Sequence, residues 1–240
     1  MLLVSLGACS GEGSSESTSG LTREQLEERA AAGSSSAGSS SAGSSSGPSS
    51  GVVLLRIDKQ ISSGALARVR RGTKQALASN ANTLIIELDT PGGSIETMWK
   101  LGRAIADASA SGLQTVAWIN DKALSAGVLL ALACDRIYSV PQGSVGAAAP
   151  VVIGPAGMQE LPEEIAEKQK SALRAQFRAW AEKRNRPEVL AEAMVDSRVE
   201  VLEVEIDMER RLLTRAEWED LQTRGEPGRL IRKVDGDQSL

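Results

Sequence analysis

The chain has 240 residues, a net charge of −4 from 27 basic and 31 acidic side chains, and 2% aromatics; that balance argues against nucleic acid as a partner, and so few rings give bases no stacking platform. It holds no histidine, which excludes a Ser-His-Asp triad and a histidine-ligated zinc site within the chain; a serine nucleophile would need another base, for which lysine is the usual substitute. The two cysteines, Cys9 and Cys134, make neither a disulfide framework nor a thiolate metal cluster.

Residues 1–9 read Met-Leu-Leu-Val-Ser-Leu-Gly-Ala-Cys. The run Leu6-Gly7-Ala8-Cys9 resembles a bacterial lipobox, which implies cleavage and lipidation at Cys9. Its apolar part is shorter than an ordinary signal peptide, and no Lys or Arg precedes it. Residues 10–20 are rich in Ser and Gly, and a short helix is expected over 21–32, with Thr22 and Gln25 spaced as a capping box. From 33 to 51 the motif Gly-Ser-Ser-Ser-Ala recurs. Such a segment cannot bury apolar surface and behaves as a flexible coil. Residues 10–51 are therefore read as a disordered tether that gives a domain reach from an anchored end.

About 190 residues remain, enough for one domain with a proper core. Val52–Ile57 is an apolar strand, and a helix follows from Gly64 to Ala78 with Ser62 or Ser63 as cap. Thr83–Asp89 reads as a buried strand, ended by Thr90-Pro91-Gly92-Gly93. A helix over Ile95–Ala108 places Ile95, Met98, Leu101, Ile105 and Ala108 at spacings of three and four. Gln114–Ile119 is the next strand. A loop then leads to Ser125-Ala126-Gly127, which opens an apolar helix running toward Cys134, most simply a buried structural thiol. A short strand is expected over Asp135–Val140, a loop over Gly143–Pro150 and a short strand over Val151–Ile153. Strands alternating with helices predict an α/β fold with a mostly parallel sheet. The longest helix is expected over Leu161–Arg184, with Pro162 in its first turn, and Glu188–Val195 is a further helical piece. After Asp196 the pattern fades: Val199–Ile206 alternates like a strand and Thr214–Gln222 is a short helix. The ending at Gln238-Ser239-Leu240 predicts a truncated sequence. No apolar stretch reaches about 18 residues, the length a spanning helix needs.

Two strand–turn–helix units carry the candidate chemistry. A serine at a strand-to-helix turn stands clear of the sheet beside the unsatisfied N–H groups of the helix's first turn, which can hold an oxyanion. A Pro-Gly-Gly turn lets the backbone approach a ligand with no Cβ in the way. Both features have plain structural readings as well: Ser125 as an N-cap, Gly127 as a packing glycine, and Pro91–Gly93 as a turn and nothing more. A lysine base must be neutral part of the time, and an ordinary lysine near 10.4 is not, so the candidate should lie off the charged face of its element. On the long helix Glu163, Glu167, Lys170, Arg174 and Arg178 share one arc. Lys168 falls outside it, nearest in angle to Leu161, Ile165, Ala172, Ala175 and Ala179. The plain alternative is a surface lysine that snorkels.

Taken together, Pro91-Gly92-Gly93 before a helix, Ser125-Ala126-Gly127, Gly146-Ala147-Ala148-Ala149-Pro150-Val151, and Glu167-Lys168 entering Phe177-Arg178-Ala179-Trp180-Ala181-Glu182-Lys183-Arg184 resemble the NfeD-type membrane-bound serine proteases, also called stomatin operon partner proteins. The resemblance covers residues 51–200 and implies a ClpP/crotonase-like fold of stacked ββα units, related to signal peptide peptidase SppA. It implies a Ser-Lys dyad, with Ser125 as nucleophile and Lys168 as general base. Gly92 and Gly93 fall on the oxyanion turn, with the N–H of Ala126 as second donor. The interval between Ser125 and Lys168 fits the NfeD-type arrangement better than the longer one of single-domain SppA. The family's helix continues Arg-Gly-Arg-Asn where this chain has Arg184-Asn185-Arg186-Pro187. The family's C-terminal membrane helices and small β-barrel are absent from the sequence, and a lipobox-like N-terminus stands in their place.

The expectation is thus a protease domain over 52–200 followed by a C-terminal extension over 201–240. It would be an ATP-independent endopeptidase without cofactor or metal, since the sequence holds no Walker motif. Its substrates would be apolar segments of membrane or misfolded polypeptides. Its setting would be the extracytoplasmic face of a bacterial membrane, reached by a lipid anchor or a stomatin-like membrane protein, and it would be a homo-oligomer. Two other readings stay open. A crotonase-like acyl-CoA enzyme would need carboxylates near the oxyanion hole, for which Asp89 and Glu96 are the candidates. An inactive lipoprotein scaffold would keep the fold without the chemistry.

Overall fold

The computed structural model describes residues 51–154, 157–159 and 162–234. The expected lipobox with Cys9, the tether and the helix over 21–32 lie outside them. The described residues form two compact units, divided between Gly143 and Ser144.

The first unit is built on four parallel strands: β1 (Gly51–Ile57), β2 (Ala81–Thr90), β3 (Gln114–Leu124) and β4 (Arg136–Ser139), in that order across the sheet. Helices α1 (Ser63–Ala78), α2 (Ile95–Ala110) and α3 (Ala126–Ala133) make the crossovers. Strand β2 reads Leu84-Ile85-Ile86 and is buried on both faces, as an inner parallel strand should be. Ile85, Val116 and Trp118 form a cluster with Val52, Leu54 and Val140. Gly72 lets α1 close onto β1, since a Cβ there would stand 2.5 Å from Leu55 Cδ1. Every residue of α3 is buried, and Cys134 just after it donates its thiol to the Leu130 carbonyl, so it is the structural thiol expected.

In the first unit the elements match the expected ones closely, with one instructive difference. Strand β3 does not stop at Ile119. It continues through Asn120-Asp121-Lys122 to Leu124, because its last residues still pair with β2, Thr90 opposite Ala123. The expected loop before Ser125 is therefore strand.

The second unit begins with the short strand β5 (Ser144–Gly146) and the hairpin β6 (Val152–Gly154) with β7 (Gly157–Gln159). Helices α4 (Glu163–Lys183) and α5 (Glu188–Ala193) follow. Then come β8 (Val201–Ile206), β9 (Glu209–Thr214), α6 (Arg215–Thr223) and β10 (Arg229–Val234). The last strands form an antiparallel sheet in the order β10-β8-β9. One face buries Leu202, Val204 and Ile206 against Leu213, Trp218 and Leu221. Thr214 and Glu217 cap α6 with a reciprocal capping box. Strands β7, β9 and β10 have no counterpart among the elements the sequence predicts, and β5 lies within the loop expected over Gly143–Pro150.

Candidate active site

The register of β2 and β3 builds the candidate site. Pairing Thr90 with Ala123 delivers Pro91-Gly92-Gly93 and Ser125-Ala126 from adjacent strand ends, at the carboxyl edge of a parallel sheet. Gly92 has φ +106, a conformation open to glycine, and a Cβ there would lie 2.6 Å from Ser125 Cβ and 3.0 Å from its Oγ. The glycine backbone is thus pressed against the serine side chain.

The turn is pinned from both sides. Thr90 is fully buried; its hydroxyl donates to the Lys59 carbonyl at 2.8 Å and accepts from the Gly92 N–H at 3.1 Å. Ile61 N–H donates to the Gly92 carbonyl at 2.7 Å, and the Ile61 carbonyl leaves no room for a Cβ on Gly93. With the Gly92 N–H spent on Thr90, the oxyanion reading falls on Gly93 and Ala126. The one sequence signal for Thr90 is its place, a hydroxyl residue at the end of an apolar strand immediately before Pro91-Gly92-Gly93.

Ser125 has φ +53 and ψ −118, the shape of the first central residue of a type II′ turn, where glycine is the usual occupant. Holding a serine there costs about 1–3 kcal/mol. Strained outliers of this kind cluster at functional sites. The residue occupies the N-cap position of α3, yet its side chain makes no capping bond. The plain reading of Ser125 as a cap therefore lacks its bond, and the hydroxyl is left for other work. Gly127 is the packing glycine envisaged: a Cβ would meet Thr90 Cγ2 at 2.8 Å. Ala126 is buried and its N–H opens α3.

Of the carboxylates a crotonase-like reading needs, Glu96 is engaged elsewhere. It receives Lys100 Nζ at 2.5 Å, and that hydrogen bond holds its carboxyl below the usual range. Asp89 pairs with Lys122 at 3.6 Å.

Lys168 sits on α4 in the second unit, and its surroundings correct an expectation. Helix α4 buries Leu173, Phe177 and Ala181. The face near Lys168 is exposed: Ile165, Ala172, Ala175 and Ala179 all face solvent, as does the lysine. The alanines cluster in angle around Lys168, but Phe177 and Leu173 remove more apolar area from water and decide which face turns inward. The supposed charged arc is in fact the paired one: Arg174 meets Glu167 and Asp196, and Arg178 meets Glu192. Asp196 and Arg198, which complete that group, carried no signal in the sequence.

The family of the NfeD1b N-terminal domain matches residues 51–223. The chain belongs to this family. Its relatives include the membrane protein NfeD1b of Bacillus subtilis, 30% identical over 64% of this chain and 33% of that protein. The membrane-bound protease PH1510 of Pyrococcus horikoshii is 33% identical over 42% of this chain and 23% of its own length. The chain thus spans a third or less of these curated relatives. Among solved structures, the 1510-N membrane-bound stomatin-specific protease superposes in two forms, each with a TM-score of 0.55 and 71% of this chain covered. A serine-to-alanine mutant is 24% identical over 75% of that chain. A lysine-to-alanine mutant in complex with a substrate peptide is 26% identical over 71%. The α/β fold with its mostly parallel sheet is the one expected.

Proposed function

We propose that this NfeD1b-family chain carries the catalytic part of a membrane-associated serine endopeptidase that works by a Ser-Lys dyad. The observation that carries the reading is Ser125 itself: a serine held in a strained turn, uncapped, with Gly92 pressed against its side chain. The 1510-N relative adds support. The serine and the lysine exchanged for alanine in its two forms are separated by almost the interval between Ser125 and Lys168, and one form binds a substrate peptide.

In the mechanism, Lys168 takes the Ser125 hydroxyl proton while Oγ attacks the scissile carbonyl carbon. The carbonyl π pair moves to oxygen, and the N–H groups of Gly93 and Ala126 receive that oxyanion. The ammonium then returns its proton to the leaving amine as the C–N bond breaks. Water, deprotonated by the same lysine, cleaves the acyl-enzyme and restores Ser125. Gly92 takes part as a spacer whose missing side chain lets the turn approach. The substrates proposed are apolar segments of membrane or misfolded polypeptides, cleaved without ATP. We place the enzyme as a homo-oligomer at the extracytoplasmic membrane face, tethered by lipid on Cys9 or by a stomatin-like partner.

The test is labelling with a fluorophosphonate from pH 6 to 10, wild type beside Ser125→Ala and Lys168→Ala. Labelling that vanishes in both variants supports the dyad. Equal labelling in all three, or none in a folded wild type, overturns it.

A further inference from the structure

Helix α4 is held in two ways along its length. Its buried side chains start at Leu173 and continue with Phe177 and Ala181, so apolar packing fixes the C-terminal part. Lys168 lies ahead of all three, in turns that bury no side chain.

Those turns have another attachment. Asp196, 1% exposed, accepts a fork from Arg198, Nε at 2.9 Å and Nη2 at 2.8 Å, and a further bond from Arg174 Nη1 at 3.1 Å. Arg198 Nη2 also donates to Glu167 at 2.6 Å, and Arg174 Nη2 lies 3.6 Å from the same carboxylate. The four side chains close a ring in which each acid meets both arginines. Its buried corner is tied to the backbone: Asp196 accepts from the Arg198 N–H at 3.2 Å, and its own N–H donates to the Glu192 carbonyl at 3.0 Å, at the end of α5. Fork geometry fixes direction as well as distance. Glu167 is the residue next to Lys168.

We propose that the ring of Asp196, Arg198, Glu167 and Arg174 positions Lys168, with Asp196 as buried anchor and Arg198 and Glu167 as positioning residues for the general base. The Arg198 hydrogen bonds hold the Asp196 carboxyl down to about 2, so the buried anchor stays charged wherever a lysine base could work. A base must hold its place within fractions of an ångström, and a misplacement of about 1 Å can cost 10²-fold in rate. The catalytic consequence rests on the Ser125–Lys168 reading; the mechanical role does not.

The experiment keeps the two apart. The full chain is compared with Arg198→Ala, Arg198→Lys, Glu167→Gln and Lys168→Ala by amide hydrogen exchange along α4 and by the pH profile of fluorophosphonate labelling. In Arg198→Ala, exchange at 167–172 is expected to rise about tenfold while 173–181 keeps its protection. Labelling is expected to fall by about 10–100-fold with a shifted pH midpoint, and Arg198→Lys, which keeps the charge but loses the fork, to fall between. Unchanged exchange at 167–172 overturns the ring as the holder of these turns. Raised exchange with wild-type labelling, where Lys168→Ala is dead, overturns its service to the base. Raised exchange throughout the chain at an unchanged pH midpoint is loss of fold and overturns the assignment, unless the milder Glu167→Gln shows the local pattern. If Lys168→Ala labels like wild type the dyad falls, and the exchange data alone decide whether the ring holds α4.

Discussion

Ser125 and Lys168 are held by different physics. Around Ser125 the chain is fixed by backbone ladders, a fully buried helix and glycines whose missing side chains leave no slack. Around Lys168 it is fixed by charges, and the helix turns that carry the lysine bury no apolar side chain. The first unit has a buried acid too, Glu87, which receives Arg56 at 2.7 Å and Asn120 at 3.1 Å. But Arg56 and Glu87 are register partners on strands already joined by their ladder, so that pair adds to an attachment that exists without it. The difference teaches where tolerance lies. A serine held in a strained turn needs a scaffold that cannot relax, and close-packed apolar residues supply one. A lysine can be carried on a helix whose position answers to pH and salt.

The largest test of this contrast is Phe177→Ala. Phe177 is fully buried, and its loss should cost about 3–5 kcal/mol. Exchange protection should collapse along α4 and β8 and persist in β2 and β3; a uniform loss would mean the two units share one core. Next comes Gly92→Ala. A Cβ at φ +106 costs about 1–3 kcal/mol in backbone strain and collides with Ser125. Labelling should fall by about 100-fold, with only a modest drop in thermal midpoint. Normal labelling would show that the turn is softer than its geometry. Smaller still, and of opposite sign, is Ser125→Gly. Glycine adopts φ +53 without the side-chain penalty, so the variant should lose all labelling and gain about 1 kcal/mol in denaturant unfolding. A less stable variant would mean that Ser125 is not strained.

The parts legible in the sequence are those whose signal is local. Leu84-Ile85-Ile86 announces an inner parallel strand because it is buried on both faces, and Pro91-Gly92-Gly93 and Ser125-Ala126-Gly127 announce turns because few residues fit such backbones. What stayed hidden depends on partners distant in the chain. Asn120-Asp121-Lys122 is polar and reads as loop, yet it is strand because Ala123 pairs with Thr90. Glu209-Arg210-Arg211 and Arg229–Val234 show no clean alternation, because their charges answer Glu203 and Glu205 across the sheet rather than solvent alone. Helix α4 offered two inward faces, and only the bulk of Phe177 and Leu173 chose between them. The Asp196 ring joins residues from α4 and from the segment beyond α5, which no periodicity links.

The smallest effect expected is the one most particular to the second unit. Hydrogen bonds from Arg198 lower the Asp196 carboxyl from 3.8 to about 2, and those from Arg215 and Lys233 lower Glu200 from 4.5 to about 2. Because both folded-state values are depressed, these groups add stability that is fully present above their unfolded values and is lost as pH falls from about 4.5 to 2. Protection in α4 and β8–β10 should therefore decline through that window before protection in β1–β3 does, and about 1 M salt at neutral pH should produce a weaker version of the same order by screening the exposed pairs. Arg198→Ala should flatten the acid response of α4 and leave that of β8–β10, whose partner is Glu200. An acid transition that begins in β1–β3 would place the sensitivity in the first unit instead and erase the contrast between the ways in which the segments around Ser125 and Lys168 are held.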